Sequence, residues 1–429
     1  MLTKVSMPAV VVALLIGAIP ASAQQPAAPA SGAQQPAPAA AQPGADFPEG
    51  PAKPLVVPMC NSCHDINRLK AGYTPEGWHT VMRMMQNMDV PLPADKVPMV
   101  TEYLIKSFPE RARPAAASLD GSAKATLKMF PVTTPASRPH DPMAARDGSL
   151  WYTAQLSNRL GRVEPATGNT REYVLPHPHS GPHGLAEDKE GNVWFTANNA
   201  GYIGKLDPKT GAVKEYALPD PQARDPHTLV FDKTGTLWFT VQQANMIGRL
   251  DPSTGEVKLV TSPTPKSRPY GMAVNSKNVV HFVEFGSNKV ASIDGKTLQI
   301  TEYPLPDAAA RPRRIAIGPD DIVWYTDFAR GYLGRLDTAS GKVAEWQSPS
   351  GPKSEPYGIV FTKDAVWYSE SFAKPNTIVR FDPKSTKFQT WAIPGGGDIV
   401  RNMDVTRDGN AVLANSLVNQ VGLVSIAGD

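Results

Sequence analysis

Glu190-Gly-Asn-Val-Trp-Phe-Thr196 has two close variants in the same chain, Asp147-Gly-Ser-Leu-Trp-Tyr-Thr153 and Thr234-Gly-Thr-Leu-Trp-Phe-Thr240. Each is followed by I/L-G-R/K-L/V-D/E-P-x-T-G and then by an alternating segment that ends in proline. Later copies centre on Val280-His-Phe-Val283, Val323-Trp-Tyr-Thr326 and Val366-Trp-Tyr-Ser369, with a weaker one at Ala411-Val-Leu-Ala414. A residue just after an X-Pro step marks the phase: His140, His183, His227, Tyr270, Arg313 and Tyr357, with Arg401 in the equivalent place of the seventh copy. Successive spacings are 43, 44, 43, 43, 44 and 44 residues. The alternation has the two-residue period of strands, which rules against a helical repeat. A fixed period in the forties with glycine-rich turns predicts a seven-bladed β-propeller of four-stranded blades.

Copy seven stops near Ile426, one strand short. Lys124–Pro131 (KATLKMFP) looks like the outer strand that precedes each copy, so it is expected to complete the last blade and remove an exposed edge. The propeller is thus expected over residues 124–429.

The tight turn at Asp147-Gly148 sets His140 level with Ala154 and Gln155. The marker residue and the residue three after tryptophan are therefore expected at one end of the channel. The second ring then reads Ala154, Ala197, Val241, Glu284, Asp327, Glu370 and Asn415. Histidines come from blades one to three and carboxylates from blades four to six. Three neighbouring imidazoles suit Zn, Cu or Fe, and the carboxylates suit Mg or Mn. Histidine beside an anion-binding arginine also suits general base catalysis. The candidate metal ligands are His140, His183, His227, Glu284, Asp327, Glu355 and Glu370, and the candidate catalytic residues are His183, His227 and Glu370. The plainer alternative is a wet funnel whose polar side chains bond to channel water or loop backbone. His281 stands where other copies have tryptophan and reads as a core histidine.

Upstream of the repeats the chain changes character. Residues 1–23 have Lys4, an apolar run from Ala9 to Ile19 and Ala21-Ser22-Ala23, the pattern of a cleaved signal peptide. That run is too short to span a bilayer, so export to the periplasm or medium is expected, with no membrane span after cleavage. Residues 24–52 are mostly Ala, Pro and Gln and read as a disordered tether. Residues 111–123 read as a linker.

Residues 53–110 carry Cys60-Asn61-Ser62-Cys63-His64, the attachment signature of a c-type haem. Two thiols at this spacing form thioethers to one porphyrin, and His64 reaches the iron. Thr74–Met88 and Ala94–Phe108 read as helices. This region resembles small class I cytochrome c modules through Trp78, Val81, Met85, Pro91-Leu92 and Tyr103-Leu104. The candidates for the sixth ligand are Met82, Met84, Met85, Met88, Met99 and His79; the resemblance implies Met85, and His79 is its main rival. The fold class is multidomain: a small α-helical cytochrome c domain plus an all-β seven-bladed propeller.

The repeats resemble the virginiamycin B lyase (streptogramin lyase) family through Gly181-Pro-His-Gly-Leu, Arg268-Pro-Tyr-Gly-Met and Glu355-Pro-Tyr-Gly-Ile, together with Trp-Phe-Thr and Ile-Gly-Arg-Leu. The resemblance implies a magnesium site that pairs a histidine of one blade with Glu-x-His of the next, plus a further glutamate. This chain keeps Glu355 and Glu370, but Arg313 and Tyr357 stand in the histidine places. Moving around the ring offers His183 with Asp225-Pro-His227, where the second ring supplies only Val241.

Of 429 residues, 43 are Lys or Arg and 40 are Asp or Glu. This near balance gives no basic field for nucleic acid. The two cysteines exclude a disulfide framework or a four-cysteine zinc site. The leading expectation is an exported haem protein with a substrate or metal site at the propeller mouth. It would exchange electrons with an external redox carrier and act on an unidentified small molecule. The alternatives are a divalent-metal lyase with an accessory cytochrome, and a non-catalytic docking propeller.

Overall fold

The computed structural model describes residues 43–61 and 66–427. The expected signal segment, the tether up to residue 42, Cys63 and His64 lie outside the described residues. Among those described, no helix is long and apolar enough to cross a membrane.

Seven four-stranded antiparallel sheets follow one another around an axis. Six are built from consecutive strands. The seventh is closed from the other end of the chain, where Lys124–Pro131 pairs with Gln420–Ala427 from Lys124↔Ala427 to Pro131↔Gln420. The repeated motifs account for the packing. Five of the seven second strands carry a tryptophan, and all five are buried (Trp151, Trp194, Trp238, Trp324 and Trp367). In four blades it stacks on an outer-strand ring, as Trp151 does on Tyr173 at 5.3 Å and Trp367 on Trp391 at 5.2 Å. The glycine of Ile-Gly-Arg-Leu is required because the aromatic residue after tryptophan lies flat across it. A Cβ on Gly204 would sit 2.1 Å from the Phe195 ring. His281 is buried in the tryptophan series, with Nδ1 3.3 Å from the Val279 carbonyl.

Among the described residues, three α-helices precede the propeller: α1 (Lys53–Asn61), α2 (Pro75–Asn87) and α3 (Val97–Ser107). The sequence reading has no counterpart of α1, because Pro54 and Pro58 break its pattern. Thr74 caps α2 by accepting from Gly77 N–H at 3.0 Å. The unit's core gathers Val56, Trp78, Met82, Val100, Leu104 and Phe108. Phe47 and Ala52, from the stretch read as tether, are buried in it too. Phe47 is the one aromatic residue in 24–52, and a composition average hides such a single anchor. Residues 111–123 are stitched to blade six. Ala116 N–H donates to the Lys374 carbonyl (3.2 Å), and Leu119 N–H donates to Thr390 Oγ1 (2.9 Å).

The helical unit sits on the marker end of the propeller. The last turns of α2 reach beyond their own core, and Met84, Met85 and Met88 pack on Ala136, Leu156 and Leu417. Asn87 donates to the Ala136 carbonyl (3.3 Å), and His179 lies 3.2 Å from Asp89.

Candidate functional site at the propeller mouth

Every innermost strand begins with a β-bulge. In blade one Pro139 pairs with Ala154, and the next pair is Pro142 with Tyr152, so His140 and Asp141 fall inside the irregularity. A bulge leaves backbone groups without ladder partners. The threonine of Trp-Phe-Thr supplies them. Thr153 Oγ1 accepts from Asp141 N–H (3.0 Å) and donates to the carbonyl of His183 in the next blade (2.8 Å). Thr196 repeats this with Gly184 N–H and the His227 carbonyl, and Thr240 with Thr228 N–H and the Tyr270 carbonyl. The repeat thus fixes each marker side chain to its neighbour's backbone.

The markers form a fan of rings at one depth. Centroids of His140 and His183 are 3.8 Å apart, those of His183 and His227 3.7 Å, and those of His227 and Tyr270 3.9 Å. Blade five interrupts the fan with Arg313, whose guanidinium lies 3.9 Å from the Tyr357 ring centroid and 4.1 Å from that of Phe328. The hydroxyls of Tyr270 and Tyr357 meet at 2.5 Å. All three histidines are buried. Burial, reinforced by neighbouring histidines and arginines, holds their pKa values well below the usual 6.5, so they are neutral at pH 7.

The residue after each marker makes a second, deeper ring of Asp141, Gly184, Thr228, Gly271, Arg314, Gly358 and Asn402. Arg314 crosses the axis. It donates to Asp141 Oδ1 (3.0 Å), to Thr228 Oγ1 (3.0 Å) and to the Arg401 carbonyl (3.0 Å). Asp141 also receives Asn402 (3.0 Å) and lies 2.8 Å from His140 Nδ1. Burial raises the Asp141 carboxyl to about 6, with Arg314 opposing. Sequence reasoning missed this ring. Its signal is the change from Pro-His-Gly and Pro-Tyr-Gly to Pro-His-Asp, Pro-His-Thr and Pro-Arg-Arg.

His140, His183 and His227 are therefore brought together as expected, but the carboxylates do not join them. Glu284, Asp327 and Glu370 pair with Pro269, Pro312 and Pro356, one residue short of the markers, because of the bulge. They staple neighbouring segments instead. Glu284 accepts from Ser262, and Glu370 accepts from Ser348 (2.7 Å), Ser350 (2.5 Å) and Thr377 (2.7 Å). Asp327 takes Arg330 (2.6 Å) and Arg311 N–H (3.0 Å). Glu370 is fully buried, and both its oxygens are taken up by the Ser348, Ser350 and Thr377 hydroxyls. Glu355 is half-buried at the mouth; burial raises its carboxyl, and the Arg313 charge opposes this. Among the described residues, the donor atoms that could hold a cation come from His140, Asp141 and His183, all within 4.8 Å of one another. His183 Nδ1 is buried without a hydrogen-bond partner.

In the helical unit, Cys60 packs against the core that contains Met82, with Met99 and Leu92 alongside. Met85 lies instead in the cluster at the propeller rim. The helical period gives its face correctly, but not how far along α2 the unit's own core extends.

The sequence profile of the virginiamycin B lyase family matches residues 116–381. The chain belongs to the virginiamycin B lyase family. Among solved structures, a streptogramin B lyase is 27% identical at a TM-score of 0.65, covering 71% of this chain and 98% of that one. A catalytically inactive histidine-to-alanine variant of virginiamycin B lyase from Staphylococcus aureus, with quinupristin, is 25% identical at the same TM-score, covering 71% of this chain and 100% of that one. Hydrazine synthase from Kuenenia stuttgartiensis, at 14% identity and a TM-score of 0.56 over 70% of this chain and 97% of that one, shares the fold alone. No curated protein sequence gave a significant match. These matches cover the propeller of this family member, whose mouth differs from the implied lyase pattern where Arg313 and Tyr357 stand.

Proposed function

We propose that this family member is an exported haem protein that passes electrons between a small molecule at the propeller mouth and an external redox carrier. A haem c would be held by Cys60 and Cys63, with His64 as proximal ligand, and would supply one-electron chemistry. The observation that carries the reading is the seating of a helical unit bearing Cys-x-x-Cys-His on the mouth, through Met84 against Ala136 and Leu156. The apolar, methionine-containing surroundings of Cys60 fit a porphyrin. Met82 and Met99 share that core, so they stand beside Met85 and His79 as candidate sixth ligands. At the mouth, neutral buried imidazoles can accept a proton from a substrate as it is oxidised. The test is spectroscopic: the holoprotein should show a c-type haem spectrum whose redox state changes on adding the substrate. A haem spectrum indifferent to every ligand of the propeller overturns the reading.

A divalent-metal lyase is the second reading, favoured by family membership and by the His140–Asp141–His183 donor set. Two features weigh against it. Arg314 already occupies the Asp141 oxygen that faces the imidazoles, and Tyr357 and Arg313 replace the implied histidines. Metal-dependent turnover that survives Cys60→Ala and Cys63→Ala would establish it in place of the first.

A further inference from the structure

Above the imidazole fan the mouth is lined by three half-buried arginines, of which Arg401 Nε donates to Ser416 Oγ at 3.1 Å. Arg138 of blade one and Arg401 of blade seven both act electrostatically on His140 and His183. Arg313 of blade five stands beside them, held by aromatic faces, and its Nε is buried without a hydrogen-bond partner. From above, Arg68 of the helical unit lies within electrostatic reach of Arg138. Among the described residues, no carboxylate pairs with Arg138. The nearby acids are shared among several cations: Asp141 with Arg314, Asp398 with Arg113 at 3.6 Å and within reach of Arg401, and Glu355 within reach of Arg313, Arg111, Arg113 and Arg401.

Like charges brought together at a partly buried mouth repel one another. Arg138 sits before Pro139 at φ 56°, the left-handed position that Gly181, Asp225, Arg268, Glu355 and Ile399 hold at the start of other blades, so the repeat places its side chain at the mouth. A cationic chamber with neutral bases beneath it is complementary to an anion, and guanidinium groups bind carboxylates through paired hydrogen bonds.

We propose that the mouth chamber binds a carboxylate, held by Arg138 and Arg401 above the His140 and His183 rings. The inference deepens the functional reading by giving the chemical class of the ligand at that site. The carboxylate has two possible sources: a free organic acid, or a propionate of the haem itself.

Titration calorimetry with succinate, against sodium chloride at equal ionic strength, tests this on the holoprotein and on a haem-free Cys60→Ser/Cys63→Ser variant. Saturable binding is expected, weakened at least about tenfold by R138Q and by R401Q. Exposed Arg171→Gln should leave it unchanged. Binding by the holoprotein identifies a free acid as the ligand. Binding only by the haem-free form identifies a propionate as the resident group. The proposal is overturned if neither form binds succinate saturably, or if folded R138Q and R401Q bind like the parent. Circular dichroism establishes folding, and R401Q serves if R138Q does not fold. The readout needs no electron transfer, so it can fail while the redox reading stands, and the reverse.

Discussion

The guanidinium of Arg314 in blade five lies 3.0 Å from the carboxylate of Asp141 in blade one, and both side chains are 2% exposed. With its bonds to Thr228 and the Arg401 carbonyl, this side chain ties blades one, three, five and seven across the axis. Removing one member of a buried ion pair leaves the other charge uncompensated, at about 3–5 kcal/mol. R314M should lower the urea midpoint accordingly, and R314M/D141N should regain much of the loss. Equal stability of R314M and parent would show that the axial bond contributes nothing net. R314M should also bind Zn²⁺ or Co²⁺ more tightly than parent at His140, Asp141 and His183, read by cobalt absorption.

The acid limb of stability should report the histidine fan. The folded imidazoles of His140, His183 and His227 have pKa values below the unfolded one. Their contribution is complete above about pH 6.5 and shrinks as pH falls below it, where the unfolded chain binds more protons. Asp141 has the opposite sign. Its folded value of about 6 exceeds 3.8, so acidification between the two favours the folded form. Asp225, raised by burial to about 7, and Glu355 oppose the imidazoles in the same way as Asp141. The histidine contribution is therefore read as the difference between parent and H140N/H183N/H227N, which should shrink as pH falls below about 6.5. Imidazole ¹⁵N shifts should show all three rings neutral at pH 6, and a charged ring there would contradict the burial argument.

The blade plan was legible because each repeat writes its packing into residue types. Tryptophan stacks on an outer ring, glycine yields to the aromatic side chain, and threonine bridges two blades. The closing strand was legible because Lys124–Pro131 carries the same alternation as its counterparts. The bulge was not, since strict alternation assumes an unbroken ladder. That single irregularity separates Glu284, Asp327 and Glu370 from the histidines and brings Asp141 and Arg314 onto the axis. The helix α1 was hidden by Pro54 and Pro58, and the docking of Met84 and Met85 depends on a neighbour in space that periodicity does not register.

Glycine substitutions should separate packing from backbone conformation. In G204A the new methyl would lie 2.1 Å from the buried Phe195 ring, whereas at Gly235 (φ 88°) nothing stands within 4 Å. Overpacking costs about 1–3 kcal/mol or more, and a left-handed alanine about 1–2 kcal/mol. Thermal unfolding should place G204A below G235A. The reverse order would mean that the Phe195 ring can move aside freely.

Docking of the helical unit rests on Met84, which is 3% exposed. M84D places a charge in that apolar contact and should release the unit. Small-angle scattering should then show a larger radius of gyration, and protease should cut more readily within 109–123. An unchanged scattering profile would show that the linker bonds to blade six hold the unit without Met84.

The surface that receives α2 is assembled from the two extremes of the propeller: Ala136 and Leu156 come from blade one, and Leu417 comes from blade seven. It does not exist until Gln420–Ala427 has found Lys124–Pro131. During synthesis the helical unit emerges first and waits for its own platform. Any group attached near Cys60 has an open, uncovered interval before the closing strand forms and α2 can dock.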